Sequence, residues 1–357
     1  MSSGAARAAG PRAALRYSLM GLASIGLALA AALGAAGGSL AAEPLVVTVG
    51  DREGTAAVQA FLPGAVTVTT GSTVTFRVGS DVPHGLAIGD GPDGIPPSEW
   101  PVSGWPEPDV AEVPGGSPAP IDLGEVFYGD SGFVNSGVLP EGATASVTFQ
   151  VAGEYQVFCP DHQNMVATVT VVDPGTAKVT SQADADAAAA ASRDALLGQA
   201  DTLREARAAD VESSTASDGT TTWNVFADAA TVATDLPGGG VGYLELFEFV
   251  PSTLSIAPGD TVHWSAVGVT SVTFPATGQD PATLDPTAPA TADETFDGKR
   301  LANSGLLNAA TGSPSAYTLT FPTAGSYTFV SLPHLAFGQE GTVVVGAAGS
   351  PGASAAP

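Results

Sequence analysis

This chain carries the same pattern twice, and that repeat constrains its fold more than any other feature. Phe61-Leu62-Pro63 followed by Val74-Thr75-Phe76 recurs as Phe249-Val250-Pro251 followed by Val262-His263-Trp264, at a constant offset of 188 residues. Asn135-Ser136-Gly137-Val138-Leu139 recurs as Asn303-Ser304-Gly305-Leu306-Leu307, and Gly153-Glu154-Tyr155 leading to Cys159 recurs as Gly325-Ser326-Tyr327 leading to Ser331. Three collinear matches make the chain a duplication, so one architecture has to suit both copies.

Each copy is written in short alternating runs. In the first they fall at 45–49, 66–70, 73–78, 146–149, 155–158 and 167–172, separated by Gly, Pro and Asp; Val74, Phe76 and Val78 share one face, as do Ala167, Val169 and Val171. Alternation of period two at this spacing predicts a β-sandwich. The composition agrees, with 44 Gly, 28 Pro and only 13% charged residues. Corresponding runs resume after Thr221, at 241–249, 253–256, 261–265, 316–321, 327–330 and 342–345. Between the copies, from Ser181 to about Glu212, the sequence is Ala-rich. Ser181 with Asp184 three residues on is a capping signal, and only Gly198 interrupts the helical pattern. With Leu196, Leu203 and Val211 as its larger apolar members, the helix is expected to pack lightly and to act as a semi-rigid spacer.

The first sixteen residues hold Arg7, Arg12 and Arg16 and no acid, and an uncharged apolar stretch runs from Tyr17 to Ala42. That is the pattern of an export leader, either a cleaved signal peptide or a retained membrane anchor. Export makes the protein periplasmic, extracellular or cell-surface. The net charge of −25, with two lysines in the whole chain, argues against nucleic acid or an anionic membrane surface as partner; solubility, or life in a salty or acidic medium, accounts for it, and a docking surface for a basic partner protein is the sharper alternative.

In an exported chain, a single cysteine needs a reason. Cys159 cannot form an intrachain disulfide, and a free thiol in an oxidising compartment is a liability unless buried or bound to a metal. It opens the run Cys159-Pro160-Asp161-His162-Gln163-Asn164-Met165, which holds the one methionine outside the leader; another donor, His84, stands upstream after the 73–78 run. A thiolate and two imidazoles, with a thioether as a weak axial contact, form the soft ligand set of blue-copper electron-transfer sites.

On these residues the chain resembles the cupredoxins, above all the plastocyanin and amicyanin group. The Gly-x-Tyr-x-x-x-Cys run of 153–159, closing with His162 and Met165, is the group's hallmark, and the short Cys-x-x-His-x-x-Met loop is most similar to amicyanin. The resemblance implies an all-β fold of two cupredoxin-like Greek-key β-sandwiches joined by an Ala-rich helical linker. It further implies one type 1 copper held by His84, Cys159, His162 and the axial Met165, and single-electron transfer with a redox protein partner. This chain departs from the group in having Gly85 after the upstream histidine, where Asn is common, and in the long step of 75 positions from His84 to Cys159. An acidic, Pro-rich insertion at 90–130, with nine acids and no Lys or Arg, accounts for that length and is expected at the copper-bearing end.

The domain plan is therefore a leader at 1–42, a copper-binding domain at 43–174, a helical linker at 175–220, a degenerate cupredoxin-like domain at 221–346 and a disordered tail at 347–357. In the degenerate copy Ser331 stands for the cysteine and Phe337 for the methionine, the upstream ligand position falls on Ser271 or Val272, and only His334 survives. An enzyme is disfavoured, because Phe158 and Pro160 rather than histidines flank Cys159 and four histidines cannot also furnish a catalytic copper cluster. A copper carrier or storage protein without an electron-transfer role is the alternative, separable by colour.

Overall fold

The computed structural model describes residues 44–89, 121–126, 134–162, 164–291, 294–308 and 314–346. The expected leader, most of the insertion and the expected disordered tail lie outside the described residues. Among the described residues no helix is long and apolar enough to cross a membrane.

The first copy folds as β1 (Leu45–Glu53), β2 (Ala56–Leu62), β3 (Ala65–Thr69), β4 (Ser72–Val78), β5 (His84–Ile88), β6 (Ile121–Val126), β7 (Val134–Leu139), β8 (Thr144–Phe149), β9 (Gly153–Phe158) and β10 (Val166–Val172). One sheet runs β2-β1-β4-β8-β6 and faces a second, β3-β10-β9-β5-β7. The alternating faces meet as expected: Val74, Phe76 and Val78 from one sheet and Ala167, Val169 and Val171 from the other are buried in one core with Phe61 and Phe149. Part of the insertion is ordered as β6, which adds a parallel edge strand beside β8.

The linker forms α1 (Gln182–Leu197) and α2 (Ala200–Ala209). Ser181 accepts the Asp184 N–H at 3.1 Å as the N-cap, and Gly198 ends α1.

The second copy follows as β11 (Ser213–Thr215), β12 (Thr221–Ala233), β13 (Gly242–Val250), β14 (Thr253–Ile256), β15 (Thr261–Ala266), β16 (Val269–Thr270), β17 (Thr273–Phe274), β18 (Ala302–Asn303), β19 (Leu307–Asn308), β20 (Ala316–Thr320), β21 (Gly325–Val330) and β22 (Glu340–Val345). Its topology mirrors the first. β1 pairs parallel with β4 and β3 with β10, as β12 does with β15 and β14 with β22. Trp264 centres its core, in ring contact with Phe274, Phe321 and Phe329.

The two sandwiches do not hang apart on a spacer. β2 pairs antiparallel with β13, from Tyr243 opposite Gln59 to Leu246 opposite Ala56, so one sheet of each copy merges into a single continuous sheet. The helices lie on this joint. Leu196 and Ala200 are buried among Val58, Ala60 and Leu62 of β2 and Leu244 and Leu246 of β13. Arg193 of α1 pairs with Asp51 of β1 at 2.6 Å, and Arg204 of α2 with Glu248 of β13 at 2.7 Å. The stripe on the helices is thin because their residues are small, and small residues let a helix sit close to a sheet. The expectation of light packing is therefore corrected: the segment connects the copies and also covers their seam.

Candidate metal centre

Three of the four sequence-predicted ligands converge at one end of the first sandwich. His84 opens β5, Cys159 follows β9, and His162 lies in the turn that returns the chain to β10. The turn is closed by the Cys159 N–H donating to the Met165 carbonyl at 3.1 Å and the His162 N–H to the Cys159 carbonyl at 3.4 Å. Donor atoms of His84, Cys159 and His162 all lie within 4.8 Å of one another, the one such His, Cys, Asp or Glu cluster among the described residues. Both imidazoles turn Nδ1 toward the sulfur, at 3.9 Å from His84 and 3.3 Å from His162. Met165 is fully buried in the same core.

Backbone geometry explains why these side chains hold their places. Gly50 sits at φ 71° in a bulge of β1, and a Cβ there would come within 2.1 Å of His84 Nε2. Only glycine leaves that imidazole its room. Gly85 donates its N–H to Cys159 Sγ at 3.3 Å, and a Cβ on it would meet the Pro160 ring at 2.8 Å. The departure from Asn at this position is thus matched by a proline packed into the space. Ser136 accepts the Leu86 N–H at 2.9 Å and braces β5 from β7.

Burial sets the electrostatics. It pushes the Cys159 thiol up to about 12, helped by the charge of Asp161, while backbone N–H groups of Gly85, Asp161 and His162 pull the other way. Burial also lowers His162 to about 4 and, with the neighbouring His162, holds His84 well below the usual histidine range. Both imidazoles are therefore neutral at pH 7 with lone pairs free for a cation, while the sulfur keeps its proton until a cation replaces it. A neutral, soft N₂S donor set with His84 and Cys159 buried and His162 partly so fits copper.

The corresponding end of the second sandwich is a hydrogen-bonded polar core. Ser271 and Val272 donate their N–H groups to Ser331 and Ser304, as Gly85 and Leu86 do to Cys159 and Ser136. The upstream ligand position is therefore Thr270, one residue before the expected Ser271 or Val272. The loop after β21 is also two residues longer: the Ser331 N–H reaches the carbonyl of Gln339, where that of Cys159 reaches Met165. Gln339, not Phe337, takes the place of the methionine. Asp228, at φ 68° in the bulge of β12 that corresponds to Gly50, sends its carboxylate inward. Asp228 accepts from Gln339 Nε2 at 2.7 Å, His334 Nδ1 bonds Gln339 Oε1 at 2.8 Å, and Thr270 donates to Ser331 at 3.1 Å. Equal loop spacing misled the reading of Phe337, and the inward Asp228 carried no signal in its own segment.

A ring of the second half approaches the metal end. The Tyr243 ring of β13 lies 6.4 Å from the His162 ring. Burial, with the charges of Glu245 and Cys159, raises the Tyr243 phenol well above its ordinary range. The run of glycines before Tyr243 was the available sign of close backbone approach.

A thiol and two imidazoles gathered at the end of a two-sheet sandwich are a donor set that suits a soft metal ion. The comparisons make this specific: the chain belongs to the copper binding proteins of the plastocyanin/azurin family, whose model matches residues 48–172 and again 240–346. It is 30% identical to the chloroplastic plastocyanin of Fritillaria agrestis over 152 residues, 42% of this chain and 72% of that protein. It is 27% identical to the plastocyanin of Rumex obtusifolius over 114 residues, 31% of this chain and 87% of that protein. Among solved structures, the amicyanin of Paracoccus versutus aligns at 20% identity over 38% of this chain and 86% of its own, with a TM-score of 0.22. A mutant fern plastocyanin aligns at 20% identity over 34% of this chain and 99% of its own, with a TM-score of 0.21.

Proposed function

We propose that His84, Cys159 and His162, with Met165 as the axial contact, hold one type 1 copper ion, and that the protein carries single electrons between redox partners outside the cytoplasm. The observation that carries this reading is the meeting of one sulfur and two ring nitrogens within 4.8 Å. When bound, copper supplies a one-electron couple between Cu(II) and Cu(I). The chain's part is to keep the donors still. His84 is wedged against Gly50, Cys159 receives the Gly85 N–H, and the turn that carries His162 is closed by backbone hydrogen bonds. Donors that hardly move suit both oxidation states, which keeps the barrier to electron exchange low.

The remaining histidines support a carrier over a catalyst. His263 bonds Thr318 on the exposed face of β15, and His334 is engaged by Gln339. Neither belongs to a second cluster of candidate metal ligands among the described residues. The acidic charge of the chain favours a basic redox partner, and the leader favours export.

Copper-loaded protein should contain one copper per chain, be intensely blue when oxidised and bleach reversibly on reduction. The Cys159→Ser variant should lose the colour. A colourless wild-type protein that still binds copper would replace this reading with that of a copper carrier or store; absence of bound copper would end both.

A further inference from the structure

In the folded chain His84, Cys159 and Met165 are fully buried, and His162 is the one of the four that keeps part of its surface. A segment of the second sandwich passes beside the His162 ring. Residues 236–243 read Leu-Pro-Gly-Gly-Gly-Val-Gly-Tyr, and each glycine sits where a side chain would not fit. A Cβ on Gly239 would lie 2.5 Å from the Ala65 Cβ, on Gly240 2.6 Å from the Val166 carbonyl, and on Gly242 2.6 Å from the Ala60 Cβ. Gly239 and Gly240 also take φ of 74° and 77°, the left-handed region that favours glycine.

Hydrogen bonds pin this strap at three points. Gly238 donates to Ser192 of α1 at 2.8 Å, and its carbonyl accepts from Ala65 of β3 at 2.8 Å. Val241 and Val166 exchange both backbone hydrogen bonds, at 2.9 and 3.0 Å. Val166 is the residue directly after Met165, so the strap is stitched to the exit of the ligand turn. Two residues beyond Val241, Tyr243 faces the His162 ring.

We propose that residues 236–243 form a fixed cover along one flank of the metal centre, with Tyr243 shielding the side of the His162 ring that it meets. The second copy, which has exchanged metal ligands for a hydrogen-bonded core, thereby serves the site in the first. Tyr243 is a positioning residue: it limits access to the donors and restrains the His162 imidazole without bonding the metal. The consequence for electron transfer rests on His162 being a copper ligand, but the cover itself does not.

The test uses the full-length chain. In the apoprotein, the single thiol Cys159 should react with dithiobis(nitrobenzoate) about tenfold faster in Tyr243→Ala than in wild type, while Tyr243→Phe, which keeps the ring, should stay near wild type. In the copper-loaded protein, extraction of Cu(I) by bathocuproine disulfonate should accelerate in the same order. Equal thiol reactivity of wild type and Tyr243→Ala overturns the proposal, whatever the copper does. A protein that takes up no copper but shows the thiol effect would sink the assigned function and leave the cover standing. Amide exchange of the wild-type protein decides the matter if Tyr243→Ala does not fold: Val166 and Val241 should be protected together, and exchange of Val166 at the rate of an open turn would refute a fixed strap.

Discussion

At the scale of single residues, the two copies diverge at a position that looks unremarkable in sequence. The bulge that is Gly50 in β1 is Asp228 in β12, and the exchange turns room for an imidazole into a buried carboxylate. The cluster around it carries more acid than base. Burial, with the charge of Asp228, pushes Glu245 up to about 7 from its ordinary 4.5, although Gln59 donates to it at 3.1 Å. Burial likewise raises Asp228 against the pull of His334, Gln339 and Thr270. Burial lowers His334, but Asp228, 3.6 Å from its Nδ1, together with Gln339 and the charge of Glu245 outweighs this and holds it above its usual value. All three groups bind protons more tightly when folded, so their contribution is fully present at low pH and is lost as pH rises through their folded values. For Glu245 the loss runs from about pH 4.5 through about pH 7 and amounts to about 3 kcal/mol at roughly 1.4 kcal/mol per unit. The lowered His84 and His162 have the opposite slope in the apoprotein, so the difference between variants is the quantity to measure. Urea unfolding should show Glu245→Gln equal to wild type near pH 4 and more stable by up to that amount above pH 7; a constant difference across the range would contradict this assignment.

At the scale of elements, strands with one face in the core were legible and β2, inside the joint, was not. The 73–78 and 167–172 runs alternate because one side meets solvent or the sheet surface, and they appear where expected as β4 and β10. β2 is buried at every residue from Ala56 to Leu62, so it shows no period of two. It was missed for that reason, and the merging of the sheets was missed with it. The first ligand set was legible because its residue types are rare and its turn short. Its degenerate counterpart was not, since the two extra residues after β21 shift the register by which Phe337 was chosen. The helices give the clearest test of the corrected architecture. Leu196 of α1 is fully buried against β2 and β13, so Leu196→Ala should cost about 2–5 kcal/mol in denaturant unfolding. A spacer helix would lose well under 1 kcal/mol.

At the scale of the whole molecule, both sandwiches belong to one compact unit. The shared sheet, the strap and the two helices all cross from one copy to the other, so neither should unfold alone. With Trp100 and Trp105 replaced by Phe, fluorescence reports Trp223 and Trp264 of the second copy, and the blue absorbance reports the first. The two midpoints in guanidinium should coincide; separated transitions would show that the copies are energetically independent. The joint between β2 and β13 has one more consequence. Each strand, left bare, would display a row of unmet backbone donors and acceptors beside apolar side chains, the kind of border along which strangers stick. Each copy hides the other's raw margin, so a gene shortened to its metal-binding half would encode an adhesive fragment rather than a smaller carrier.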